Sequence, residues 1–299
     1  MRVVTYKFYE RVFLCFIVIS LLSFPVSVEA EQNNIKIVSL SPCLTEIIFK
    51  LGKGNALVGR SSACDYPEEV MGISIAGRLG HPFMETLLLL KPDIVVTASL
   101  VDTSVQKSVQ EYGMKFQLLP TESIDDYFNA VEHIGTALEC EEQAAAEIAR
   151  VRGGLTQFLS ELNALPEADR PLVYLEVWNH PRMTVGKKSF INDCITYAGG
   201  KNIAGTMDKE YFACSEEWVI SSNPQIIIAP SMGKGCAGEI RDRKSWGNVS
   251  AVRNNRIYVA LDSNLIFRLG PRVLEGIELL KNCIQAPVTD AGNMPKKVQ

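Results

Sequence analysis

Two glutamates ask for a chemical explanation in this 299-residue chain. Glu85 lies in the stretch METLLLLKPDIVV, and Glu217 lies in EEWVISSNPQIIIA, 132 positions further on. Each is followed at its seventh position by a proline (Pro92, Pro224), then by an acid or amide (Asp93, Gln225) and a run of Ile and Val. A single carboxylate at the start of a helix complements the helix dipole, worth about 0.3–1 kcal/mol, and needs no further role. Two carboxylates in the same phrase are different. They would present matched charges from two equivalent corners, which suits docking onto a partner bearing arginines.

Other reactive side chains are sparse. His133 lies beside Val131 and Ile134 on an amphipathic stretch and reads as structural. His81 and His180 each precede a proline in predicted loops, and facing one another they could ligate cobalt, haem iron or zinc. No acidic ligand accompanies them at a clear metal-binding spacing, so no metal centre is expected. The cysteines form no CxxC pair; Cys194 and Cys283, on two helices of the second half, are a candidate disulfide. Enzyme signatures are missing: GRSSA lacks the second glycine of a nucleophile elbow, TVGKKS lacks the upstream glycine of a P-loop, and HExxH is absent. The chain is therefore not expected to be an enzyme. Its formal charge of −4, without a basic stripe, argues against a nucleic-acid partner.

The elements that must position these residues follow a clear rhythm. Arg2, Lys7 and Arg11 precede an apolar run from Val12 to Val28, which ends in Val28-Glu29-Ala30; this reads as a secretory leader cleaved after Ala30. Cys15 lacks small residues just before it, so a lipid-anchored cysteine is not expected. Strand and helix signals then alternate, which implies parallel βαβ units. The strand-like segments are IKIVSL, ALVGR, DIVVTAS, KFQLLP, LVYLEV, QIIIAP and RIYVA. Between the two runs of alternation, Ile148, Val151, Leu155, Phe158, Leu159, Leu162 and Leu165 recur at spacings of three and four, one apolar stripe on a long helix. Gly153-Gly154 in its middle is a possible bend. The expected plan is an α/β fold of two lobes with parallel-sheet sandwiches joined by a single long helix. Residues 1–30 are the leader, 31–138 the first lobe, 139–169 the connecting helix, 170–285 the second lobe and 286–299 a polar tail.

The segments IVSLSPCLTEIIFKLG, LVGRSSACDYPEEV, LLLLKPDIVV, SNPQIIIAP and LGPRVLEGIELL resemble successive blocks of periplasmic substrate-binding proteins of the vitamin B12 type. These belong to a helical-backbone class that also serves ferric siderophores, haem and metal ions. The resemblance covers roughly residues 35–284 and implies a periplasmic, monomeric receptor that hands its ligand to the permease dimer of an ABC importer. In that class, lobe-tip glutamates pair with arginines of the permease, and Glu85 and Glu217 match those positions. The ligand, cobalamin or a related corrinoid, would be cargo, and no resident cofactor is expected.

Ligands of α/β sheets bind beyond the carboxyl ends of the strands. Candidates there are Ser41 and Cys43 after the first strand, then Cys64, Asp65 and Tyr66, then Arg78, Leu79 and His81. From the second half come Trp178, Asn179 and His180, then Tyr211, then Asn264, Leu265 and Arg268. The resemblance implies aromatic packing on the corrin, with Trp178 and Tyr211 as the matching residues. Ala63 and Leu79 stand where the family often has aromatics. Arg60, Arg78, Arg182 and Arg268 keep an anionic siderophore or haem open as the alternative ligand, whereas Arg272 in GPR reads as structural.

Overall fold

Runs such as IVVT and IIIA are apolar on both faces and must be covered on both, as strands of a parallel sheet are. In the computed structural model these segments lie at the centres of two sheets. The structure describes residues 35–98, 101–231 and 236–287. The expected leader lies outside these residues, as does the tail beyond 287. The described residues form one compact unit.

The first sheet is built from β1 (Ile37–Ser39), β2 (Leu57–Ser61), β3 (Ile75–Arg78), β4 (His81–Pro82), β5 (Ile94–Thr97) and β6 (Lys115–Leu118), in the order β4-β3-β2-β1-β5-β6. All neighbours are parallel except β3 and β4, an antiparallel hairpin at the edge. The second sheet contains β7 (Leu172–Asn179), β8 (Arg182–Val185), β9 (Lys201–Asn202), β10 (Tyr211–Ala213), β11 (Ile226–Ala229) and β12 (Ile257–Val259), in the order β10-β8-β7-β11-β12 with β9 on the start of β7. Here β7, β9, β11 and β12 pair in parallel, and β8 is antiparallel to both its neighbours. The fold is thus α/β with two sheet-centred halves, as expected, plus antiparallel edges that were not.

The helices are α1 (Pro42–Lys50), α2 (Met84–Leu90), α3 (Thr103–Glu111), α4 (Ile124–Ala137), α5 (Glu141–Ala164), α6 (Phe190–Tyr197), α7 (Glu216–Ser222), α8 (Ala237–Arg241), α9 (Ser250–Arg253), α10 (Ser263–Phe267) and α11 (Val273–Gln285). The start of α4 follows from its sequence. The Ser123 hydroxyl accepts from Asp126 N–H, and the Asp126 carboxylate accepts from Ser123 N–H, a reciprocal cap worth about 1 kcal/mol.

Helix α5 is the expected long connector, 24 residues and therefore about 36 Å at 1.5 Å per residue. It is not a bare rod. It packs on α4 of the first half and on α6 and α11 of the second. Its Val151, Leu155 and Phe158 belong to one hydrophobic cluster that reaches from Ile37 to Ile284. Ala144 approaches Gly135 so closely that a Cβ on the glycine would fall 2.5 Å from the alanine's. At Gly154 the side chain of Leu274 occupies the space a Cβ would need, so the glycine serves close packing; the helix runs through the pair unbroken. Three stripe members behave differently from expectation: Leu159 is 44% exposed, and Ile148 and Leu165 are only half-buried. Their buried counterpart is Glu147, which accepts from Tyr127 Oη at 2.7 Å and from Arg150. Arg150 Nη2 also donates to the Pro271 carbonyl, tying α5 to the second half.

The proposed Cys194–Cys283 disulfide is absent. Both residues are buried free thiols, and burial pushes the Cys283 thiol up to about 12.

Candidate functional site

The repeated phrase folds twice into the same corner. Helices α2 and α7 each have seven residues, with Glu85 and Glu217 at the second helical position, and both carboxylates are exposed. Each helix ends on a left-handed residue, Lys91 at φ 48° and Asn223 at φ 45°, then Pro leads into a fully buried strand. The acid or amide after the proline has the same task in both. Lys36 N–H donates to Asp93 Oδ2 at 2.8 Å, and Leu172 N–H donates to Gln225 Oε1 at 2.9 Å. A helix whose end feeds directly into a strand runs antiparallel to it. Both glutamates therefore stand toward the carboxyl ends of their sheets. The Glu217 carboxyl is held below the usual range by its own backbone N–H and by Ser215.

The carboxyl-end loops of the two halves meet in a charged junction. Arg268 donates to both carboxylate oxygens of Asp65, at 2.5 and 3.3 Å, across 203 residues of sequence. Arg272 donates to Glu46 through Nε at 2.9 Å and Nη2 at 2.7 Å, and its guanidinium lies 3.9 Å from the centre of the Tyr66 ring. Arg268 is also 3.6 Å from Glu46. The hydrogen bond from Arg268 holds the Asp65 carboxyl below its usual range, although partial burial opposes it. The reading of Arg272 as structural agrees with this geometry.

A second cluster supports the β7–β8 hairpin. Glu176 is 1% exposed and accepts from Arg243 at 2.6 and 2.7 Å and from Tyr174 Oη at 3.1 Å, with Arg182 at 3.4 Å. Both arginines lie over the buried Trp246 ring. Arg243 also donates to Asn179 Oδ1 at 3.0 Å, and Arg182 pairs with Glu216 at 2.9 Å. At the hairpin tip Trp178 is 60% exposed, and its Nε1–H donates to the His180 carbonyl at 2.9 Å. A cavity of about 290 Å³ lies beside it, lined by Glu176, Val177, Trp178, Asn179, His180 and Ser231.

The expected site residues divide by exposure. Tyr66, Leu79 and Trp178 are large, apolar and 45, 49 and 60% exposed. Asp65, Arg78, His81 and His180 are also exposed, and Asn179, Tyr211, Asn264, Leu265 and Arg268 are half-buried. His81 and His180 occupy the tips of separate hairpins, and among the described residues no group of three or more His, Cys, Asp or Glu could hold a metal ion. Ser41 and Cys64 are wholly buried and cannot touch a ligand. The Ser41 hydroxyl accepts from Ala98 N–H at 2.8 Å, and the Cys64 thiol accepts from the Thr45 hydroxyl. Cys43 is nearly buried against Thr121, and burial raises its thiol to about 11. The Tyr211 ring packs on the main core.

Glu46 and Glu176, the hubs of both clusters, were missed by the sequence reading. The signal was present: a lone acid inside LTEIIF and another inside LVYLEV must each find cations when buried. A larger groove of about 1080 Å³, lined by Lys91, Asp93, Tyr112 and His133 among others, lies at the opposite, amino-terminal edge of the first sheet. None of the expected ligand residues lines it.

Residues 37–263 match the model of the periplasmic binding protein family. An uncharacterized ABC transporter substrate-binding lipoprotein, YvrC, of Bacillus subtilis is 28% identical over 274 residues, 87% of this chain and 86% of its own. A vitamin B12-binding protein of Vibrio campbellii is 25% identical over 250 residues, covering 81% and 86%. The solved structure of a possible iron-binding periplasmic solute-binding protein from Staphylococcus epidermidis superposes with a TM-score of 0.73 at 28% identity, over 84% of this chain and 98% of that one. Such proteins are non-enzymatic components of transport, and those of ABC importers work with a permease and an ATPase. No helix among the described residues is long and apolar enough to cross a membrane. By the extent of the family match, the chain belongs to the periplasmic binding protein family.

Proposed function

We propose that this protein binds cobalamin or a related corrinoid in a cleft between its halves and delivers it to the permease of an ABC importer. One observation carries the reading. The carboxyl-end loops expose the apolar side chains of Tyr66, Leu79 and Trp178, while four of the five arginines around them already have partners. Arg182 is paired with Glu176 and Glu216, Arg268 with Asp65, and Arg272 with Glu46. Arg60 is buried and spends its donors on the carbonyls of Ile73, Ser61 and Cys64. A surface of this kind favours a large, flat ligand without net anionic groups over one that needs free cations. The vitamin B12-binding relative points the same way.

The alternative is a ferric siderophore or haem. It is favoured by Arg78, which is exposed and has no carboxylate partner among the described residues, and by the similarity to the structure described as a possible iron-binding protein. Mixing purified protein with cyanocobalamin and passing it through a gel-filtration column separates the readings. Co-elution of the red corrinoid is expected. A Soret band after haem addition, or retention of a ferric siderophore, with no corrinoid bound, would replace it.

Glu85 and Glu217 are the pins that engage permease arginines. Reversing both charges abolishes ligand uptake but leaves ligand affinity unchanged; an equal loss of affinity would contradict this role.

A further inference from the structure

The two docking corners share a backbone but not a surface. With the 132-residue offset, Phe83 corresponds to Ser215, Leu88 to Ile220 and Leu89 to Ser221. Phe83, Leu88 and Leu89 are 40, 41 and 82% exposed. Leu88 and Leu89 follow Glu85 by three and four residues, so on the helix surface they are its neighbours, although Leu88 also reaches the groove of about 1080 Å³ at the amino-terminal edge. Phe83 N–H donates to the carbonyl of Ala76 at 2.8 Å, which fixes the start of the helix on the edge of the first sheet. At the other corner Ser215 caps α7, the Ser221 hydroxyl donates to the Trp218 carbonyl, and Ile220 packs on the core of its half. Ser221 shows that this corner folds with a polar residue at the position of Leu89. The fold itself therefore does not require an exposed leucine there, and an exposed apolar patch of this kind marks an interaction surface.

We propose that the corner around Glu85 is an apolar docking patch for the permease, which meets it with an apolar socket beside a cation, whereas the corner around Glu217 docks by charge alone. This rests on the reading of the two glutamates as permease pins. Other occupants fit less well. A second copy of the chain, placed about a twofold axis, would bring Glu85 against Glu85, and an anionic lipid surface would repel the same carboxylate. A cation flanked by apolar side chains complements both features at once.

The test measures binding of the full receptor to its partner permease complex in nanodiscs, with ligand affinity recorded for every variant. Replacing Phe83→Ser and Leu89→Ser together copies the residues of the other corner. We expect complex formation at least tenfold weaker, unchanged ligand affinity, and residual binding that fades steeply between about 0.1 and 0.5 M salt. Wild-type binding should persist better at high salt. Binding within twofold of wild type would overturn the proposal. So would equal binding to empty nanodiscs, or a wild-type dimer that the two serines dissolve. If the double variant does not fold, Leu89→Gln alone is used and must weaken binding at least threefold. Glu85→Lys with Glu217→Lys separates the two ideas. Undiminished binding there removes the pin reading itself, while lost binding there with full binding by the serine variant removes only the apolar patch.

Discussion

Glu46 is the residue whose loss should cost the junction most. It is 4% exposed on α1, accepts two hydrogen bonds from Arg272 across 226 residues of sequence, and faces Arg268 at 3.6 Å. Replacing it with Gln leaves the Arg272 guanidinium, whose side chain is 15% exposed, without a counter-charge and beside a second guanidinium. Asp65 still neutralises Arg268. Breaking one side of a buried ion pair costs about 3–5 kcal/mol, and the residual exposure of Arg272 argues for the lower figure, about 3 kcal/mol. For a domain of this size each kcal/mol moves the melting temperature by about 2–4 °C, so Glu46→Gln should lower Tm by about 6–12 °C. Calorimetry on the isolated protein measures it. Pairing the change with Arg272→Met removes the stranded charge and should recover at least half the loss, since an apolar replacement of the whole pair is often close to neutral. A fall below about 2 °C in the single variant, or strictly additive losses in the pair, would show that Glu46 does not hold the halves together.

Other consequences are simpler to state. Asp65 has its carboxyl held down by Arg268, so its contribution to stability is complete above the unfolded carboxylate range, about 3.9, and is lost as pH falls through the lowered folded value. Urea denaturation from pH 6 to pH 2 should therefore show a shallower acid loss for Asp65→Asn than for wild type; identical slopes would refute the linkage. Gly153→Ala, at an open helical position, should stabilise by up to about 1 kcal/mol. Gly154→Ala, facing Leu274, should destabilise by about 1–3 kcal/mol, and equal signs for the two in chemical denaturation would contradict the packing described. Trp178→Ala should weaken ligand binding at least tenfold and remove most of the ligand-induced change in tryptophan fluorescence. An unchanged titration would exclude Trp178 from the site.

What could be read from the sequence was whatever repeats with a period. The apolar runs of β1, β5, β7 and β11 have lengths and flanks that leave few alternatives, and the stripe on α5 declared its helicity and, through Val151, Leu155, Phe158 and Leu162, the centre of its buried face. The strands that were missed are short, two to four residues each; IAGR, HP, RMTV and KN carry glycine, proline or charge, and YFA is only three residues long. Such strands form because a neighbouring edge offers hydrogen bonds. That is tertiary information, absent from a local window. The same limit explains Ser41 and Cys64, whose place in carboxyl-end loops was correct and whose burial was not legible. Polar side chains at helix starts serve ligands or serve the loop, and only the partner atoms, Ala98 N–H and the Thr45 hydroxyl, decide between them.

The arginines bear most directly on function, and they show how pairing changes a charge count. Five cleft-side arginines, taken singly, describe a receptor for anions. In the fold, Glu46, Asp65 and Glu176, with Glu216, take up three of them, and backbone carbonyls take a fourth. Among these five arginines Arg78, at the tip of the β3–β4 hairpin, is the one with no carboxylate or carbonyl partner among the described residues. Changing Arg78→Gln therefore discriminates between the ligand classes. If the cargo is an uncharged corrinoid, affinity should change by less than about threefold, since one exposed charge contributes roughly 0–1 kcal/mol. A bound carboxylate or propionate desolvated against that guanidinium would instead lose tenfold or more on the same substitution, and isothermal titration resolves the difference. A large loss would mean that the exposed apolar loops receive an anion after all, and that the neutralised arginines are scaffolding around Arg78.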